Sequence, residues 1–98
     1  MKIKQNQELV RENYWKWSVE LEAKEETLER VLFVVYTLHE TFPNPIRRIS
    51  SREDNFRLET SGWGEFMIYA KVLFEDKTQI RLTHWLELFN NDGTRTKE

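Results

Sequence analysis

His39, Glu40 and Thr41 stand in a row within LHETFPNP (residues 38–45). An imidazole, a carboxylate and a hydroxyl this close raise the question of a general base, an orienting acid and a nucleophile. Backbone geometry argues against it, because neighbouring side chains of an extended chain leave on opposite sides and Glu40 cannot orient a His39 that faces Thr41. The chain has no cysteine and no G-x-S-x-G turn, and its other histidine, His84, lies far along the sequence. These two imidazoles have no carboxylate at a ligand spacing, so they make a poor metal site, and His84 reads as a core histidine bonded to a neighbour. No catalysis and no cofactor is therefore expected. What the segment does offer is grip, from the Thr41 hydroxyl, the Phe42 ring and His39. Downstream, Trp63 sits between Gly62 and Gly64 in SGWGEF (residues 61–66). A ring destined for the interior needs no glycine on either side, whereas a ring displayed at a loop tip does. The plainer alternatives are Trp63 as core and Phe42 as a plug at the end of the fold.

Such loops need strands to hold them. Residues 31–37, VLFVVYT, are β-branched and aromatic, and Pro43 and Pro45 stop the run. With strand alternation, Leu32, Val34, Tyr36 and Leu38 face one side and Val31, Phe33 and Val35 the other. Both faces are apolar, which suits a central covered strand or one whose outer face meets another chain. Residues 14–22 alternate cleanly, with Trp15, Trp17, Val19 and Leu21 inward. Residues 22–28 read as a loop or short helical turn, 47–54 as a polar connection with a basic cluster of Arg47, Arg48 and Arg52, and 55–60 as a short strand carrying Phe56 and Leu58. A hairpin joins a strand over 66–74 to one over 78–89, on which Ile80, Leu82, His84, Leu86 and Leu88 share a face. Residues 1–13 read as an edge strand or arm and 91–98 as a disordered tail, leaving one domain over 1–98 with its core at about 14–90. The expected architecture is an all-β, immunoglobulin-like antiparallel sandwich of seven to eight strands.

LHETFPNP followed by SGWGEF resembles the two loops of the YEATS family, and the likeness runs from about Trp15 to Phe89. Its nearest counterparts are the prokaryotic YEATS-like modules. The resemblance implies a sandwich that reads acylated lysine between one aromatic from each loop, here Phe42 and Trp63. It also implies that the Thr41 hydroxyl and the Trp63 backbone N–H bond the acyl amide, and that His39 orders the loop and lines the channel. Gly62 and Gly64 shape the second loop. Tyr14 stands beside Asn13, where many members carry a third aromatic, and Glu53-Asp54 replace the paired prolines usual after the first loop. The physics agrees, since acylation removes the lysine charge and a neutral aromatic slot penalises a bare ammonium. Glu40 is the one carboxylate this reading counts in the two loops.

The totals narrow the partners. A net charge of −2 gives no field for a polyanion, so nucleic acid is not expected. Charged residues make up 33%, above the usual share of about 25%, and four Trp, six Phe and three Tyr supply the core area of a thin two-layer fold. No membrane-spanning run and no apolar leader is legible, and the expectation is a soluble cytoplasmic protein, nuclear if the source is eukaryotic, monomeric or weakly dimeric. The partner expected is an acylated protein or peptide. The competing expectation is an interaction module that binds protein through a sheet edge or the apolar face of Val31, Phe33 and Val35, leaving the slot vestigial.

Overall fold

The computed structural model describes residues 1–89, and the tail expected at 91–98 lies outside them. Seven strands form two antiparallel sheets. The first holds β1 (Lys2–Arg11), β2 (Tyr14–Glu22) and β5 (Leu58–Gly62) in the order β1-β2-β5. The second holds β3 (Val31–Thr37), β4 (Ile46–Ile49), β6 (Met67–Phe74) and β7 (Gln79–Trp85) in the order β4-β3-β6-β7. Their inner faces enclose one core. Trp15, Trp17, Val19 and Leu21 supply it from β2, and Ile68, Ala70 and Val72 face them from β6, all at most 3% exposed. The sandwich expected from the alternation is the one observed.

Four local readings change. Val31, not Leu32, joins Val34 and Tyr36 in the core, and Leu32 is 45% exposed. The pairing of β3 with β6 slips between Val31 and Phe33, and one inserted residue reverses the alternation on its N-terminal side. Residues 46–49 form β4, an edge strand whose polar composition reflects its exposure rather than an irregular connection. The strand expected from residue 55 begins only at Leu58, because Asp54, Asn55 and Phe56 take left-handed backbone angles of 54°, 56° and 62° in φ. Phe56 is nonetheless buried, and its carbonyl accepts the Tyr36 hydroxyl at 2.9 Å. The last strand stops at Trp85, and Ile80 stands at the surface. Beyond it Leu86 and Leu88 remain fully buried while side chains from β1 satisfy the backbone.

Those side chains explain why β1 is so polar. Gln5 bonds both the carbonyl and the amide of Glu87, at 2.7 and 3.0 Å, and Gln7 accepts from the Phe89 amide at 2.8 Å. The two glutamines stand in for a strand ladder between the sheets. At the other edge, Arg57 bonds the buried Glu20 carboxylate at 2.9 Å.

His84 donates from Nε2 to Gln5 Oε1 at 2.6 Å, since that oxygen is an acceptor. Burial depresses its pKa, with Glu87 opposing. Above the unfolded value of about 6.5 both states are neutral and the stability is fully present; as pH falls from there, the unfolded chain takes up a proton that the folded one resists. We therefore expect the melting temperature to drop between about pH 7.5 and 5.5 and the His84→Gln variant to show a shallower slope. Parallel slopes would contradict this.

Candidate functional site

The two loops meet at one end of the sandwich. The first, residues 38–45, leaves β3 and returns into β4. It is closed by the Leu38 amide on the Pro45 carbonyl at 2.8 Å, and an inner turn carries the Phe42 amide to the His39 carbonyl at 3.0 Å. Arg47 reaches back from β4 and bonds the Asn44 and Pro43 carbonyls at 2.6 and 3.0 Å. The basic cluster read from the sequence is thus three separate devices. Arg47 clamps the loop, Arg48 lies 3.9 Å over the Phe33 ring, and Arg52 precedes the turn at Glu53–Asn55. The second loop, residues 62–66, joins β5 to β6. Glu65 ties it down by accepting the Trp85 indole N–H at 3.1 Å and the Leu88 amide at 3.0 Å, and the Phe66 carbonyl accepts the Leu86 amide at 2.9 Å.

Between the loops lies a cleft of about 430 Å³. Tyr14, His39, Thr41, Phe42, Gly62, Trp63 and Gly64, the residues singled out from sequence, all line it. Phe42 is half-buried and leans inward, with its ring 5.2 Å from Phe66 and 6.1 Å from Trp17. Trp63 is 71% exposed and touches no other ring among the described residues. In this structure the two aromatics therefore border one cleft without stacking on each other. The Tyr14 hydroxyl and Ser61 Oγ lie 2.8 Å apart, which fastens the start of β2 to the end of β5, and Arg11 covers the Tyr14 ring at 4.3 Å.

The glycines divide. A Cβ on Gly62 would come within 3.4 Å of Phe42 Cζ and 3.8 Å of Trp17 Nε1, so Gly62 lets the Phe42 ring close over the backbone. A Cβ on Gly64 would meet nothing within 4 Å, and neither residue has a left-handed backbone. Backbone freedom, the reason offered from sequence, is not what either position requires. The buried Trp17 Nε1 behind Gly62 has no partner among the described residues.

Hydrogen bonding fixes the polarity of the first loop. The Thr41 amide donates to His39 Nδ1 at 3.2 Å, so Nδ1 is the unprotonated nitrogen. The Thr41 hydroxyl, 2.9 Å from the same atom, then donates as well, which leaves its oxygen as an acceptor toward the cleft. Glu40 does not line the cleft; residues 39–42 form a hydrogen-bonded turn, so the alternation of an extended chain, the reason offered from sequence, is not what directs it. Glu65 does, and it is a carboxylate that the count from sequence overlooked; its oxygens are engaged by Trp85 and Leu88. Pro43, Ser61 and Phe66 also line the cleft without having been singled out. Ser61, Glu65 and Phe66 were visible inside SGWGEF, but nothing in the order of residues signals the Arg47 clamp, which acts only on carbonyls. Among the described residues no group of acidic, histidine or cysteine side chains could hold a metal ion. No helix there is long and apolar enough to cross a membrane.

The profile of the prokaryotic YEATS domain matches residues 15–87. The chain is 41% identical over 68 residues to the protein named AF-9 homolog of Kluyveromyces lactis, covering 66% of this chain and 30% of that protein. It is 36% identical over 76 residues to transcription initiation factor TFIID subunit 14 of Schizosaccharomyces pombe, covering 71% and 31%. The chain thus spans about a third of the length of these curated relatives. Among solved structures, the Yaf9 YEATS domain recognizing an H3K122suc peptide superposes with a TM-score of 0.67 at 26% identity, covering 96% of this chain and 72% of that one. The Yaf9 YEATS domain bound to H3K27ac gives 0.68 at 25% identity, covering 96% and 73%.

Proposed function

The chain belongs to the prokaryotic YEATS domain family, and from that premise we propose that it is a non-catalytic reader of acylated lysine, or of a similar neutral amide, in the cleft between residues 38–45 and 61–66. The observation that carries the reading is the convergence of all seven residues on one cleft from three separate segments. The Yaf9 domain is a relative whose structures hold acylated histone peptides, which supports an acylated peptide as the ligand here.

The roles follow from donors and acceptors. A secondary amide carries one N–H and one carbonyl. Its N–H meets the Thr41 oxygen, which is left as an acceptor because its own proton goes to His39. Its carbonyl accepts from the Trp63 amide, which lies just beyond the last residue paired with β2. Phe42 and Trp63 flank the aliphatic chain, and Trp63, being exposed, is free to close over it. An ammonium satisfies Thr41 but sets its N–H groups against the Trp63 donor and pays for desolvation. Glu65 offsets part of that penalty, because the Trp85 and Leu88 N–H groups fix its carboxylate in place without cancelling its charge.

Calorimetry with one peptide bearing either acetyl-lysine or lysine tests this. Acetylation is expected to tighten binding at least tenfold, about 1.4 kcal/mol. Equal affinity would overturn the reading.

A further inference from the structure

The two outer faces of the sandwich treat charge in opposite ways. On the three-stranded sheet, cations meet carboxylates. Lys2 pairs with Glu22 at 3.1 Å, Glu8 stands opposite Lys16 in the ladder, and Arg57 lies 2.9 Å from Glu20 and 3.6 Å from Glu59. On the four-stranded sheet the register places Arg48, Val35, Lys71 and Arg81 in one row across β4, β3, β6 and β7. Neighbouring strands lie about 4.8 Å apart, so three cations fall along roughly 15 Å. None of the three forms an ion pair among the described residues. No Asp or Glu lies within these four strands, and the acids that flank them sit off the row, at Glu29 and Glu40 beside β3, Glu53 after β4, Glu65, Glu75 and Asp76 beside β6, and Glu87 after β7. This happens in a chain whose net charge is −2.

The same face exposes apolar area. Ile46 is 65%, Tyr69 55%, Trp85 42% and Met67 37% exposed, on the side of the cation row nearer the cleft. The Arg48 guanidinium carbon stands 3.9 Å over the centre of the Phe33 ring, a contact that holds its charge in place for a partner.

We propose that this face docks an acidic polypeptide segment whose carboxylates alternate with aliphatic or aromatic side chains, as a second binding surface separate from the cleft. Carboxylates meet Arg48, Lys71 and Arg81, and the apolar side chains cover Tyr69, Met67 and Trp85. Charge complementarity selects this occupant. A second copy presenting the same face would set cation row against cation row. A nucleic acid long enough to use the row would leave its remaining phosphates beside a protein with excess negative charge, and it has no use for Ile46 and Met67. Trp85 bonds Glu65, which lines the cleft, so the apolar end of this face borders the mouth of the cleft.

The test uses a fluorescent peptide of alternating Glu and Leu or Phe residues, a Lys-for-Glu version of it, and a single-stranded oligonucleotide of equal charge. The acidic peptide is expected to bind, to weaken with added salt, and to lose at least about tenfold in the exposed Lys71→Glu, Arg81→Glu double variant. Tyr69→Ala is expected to weaken it without changing the salt dependence. Acetyl-lysine peptide binding by the double variant should be unchanged, or equally absent if the cleft reading fails, so the two readings are judged apart. No binding of the acidic peptide, equal binding of the Lys version, tighter binding of the oligonucleotide, or loss of acidic-peptide binding in Thr41→Val would overturn the proposal.

Discussion

Trp63→Ala is expected to remove acyl-peptide binding while leaving stability within about 0.5 kcal/mol of the parent chain. The pair of outcomes follows from one observation, that the ring is 71% exposed and packs against no other ring among the described residues. Its removal opens no cavity and strands no polar group, so the usual sources of destabilisation are missing. In the complex the indole covers the ligand chain, and buried tryptophans at interfaces cost at least about 2 kcal/mol when truncated, roughly thirtyfold in affinity. A marked fall in melting temperature would mean that the ring packs inward in solution. Unchanged affinity would mean that it is not part of the slot.

Thr41→Val separates hydrogen bonding from shape. Valine is nearly isosteric, and Thr41 is exposed, so the fold should survive. The Thr41 amide still donates to His39 Nδ1, which keeps the turn. What disappears is the oxygen that accepts the ligand N–H, and a buried amide left unpaired costs about 1 to 3 kcal/mol. Affinity should fall by roughly 5- to 150-fold with an unchanged circular dichroism melt. If affinity holds in a folded variant, the Thr41 oxygen is not the acceptor for the ligand N–H, and the reading of the cleft as an acyl-lysine slot is abandoned.

The strands were legible where apolar and polar side chains alternate, even where, as at Ser18 and Glu20 of β2, the polar face is covered too. Residues 14–22 show a period of two, and β2 occupies those same residues. The faces of β3 were not legible, because both are apolar and a bulge between Val31 and Phe33 leaves no trace in composition. β4 escaped because an edge strand of four residues, half of them arginine, looks like a loop. The residues around the cleft came through because two short motifs each concentrate hydroxyl and aromatic groups in a few positions, the first with an imidazole as well. Their supports did not. Arg47 works through carbonyls, Gln5 and Gln7 through distant backbone, and Glu65 through an indole on another strand. The glutamine and Glu65 contacts reach 20 residues or more along the chain, and the Arg47 clamp, though only three or four residues long, ends on backbone carbonyls that look alike at every position, so spacing along the chain carries no information about any of them. The Gly62 explanation changed for the same reason: what it accommodates is Phe42, which approaches from the other loop.

An acylated lysine held between the two loops would be seen at the backbone amides that surround it. The most direct measurement is a titration of the isotopically labelled chain with an acetyl-lysine peptide, followed through its backbone amide resonances. Shifts confined to residues 39–43 and 61–66, with the Trp63 amide moving furthest as it takes up the acyl carbonyl, are the result expected. No shifts, or shifts centred on Phe33, Tyr69, Lys71 and Arg81 across the outer sheet face, would contradict it.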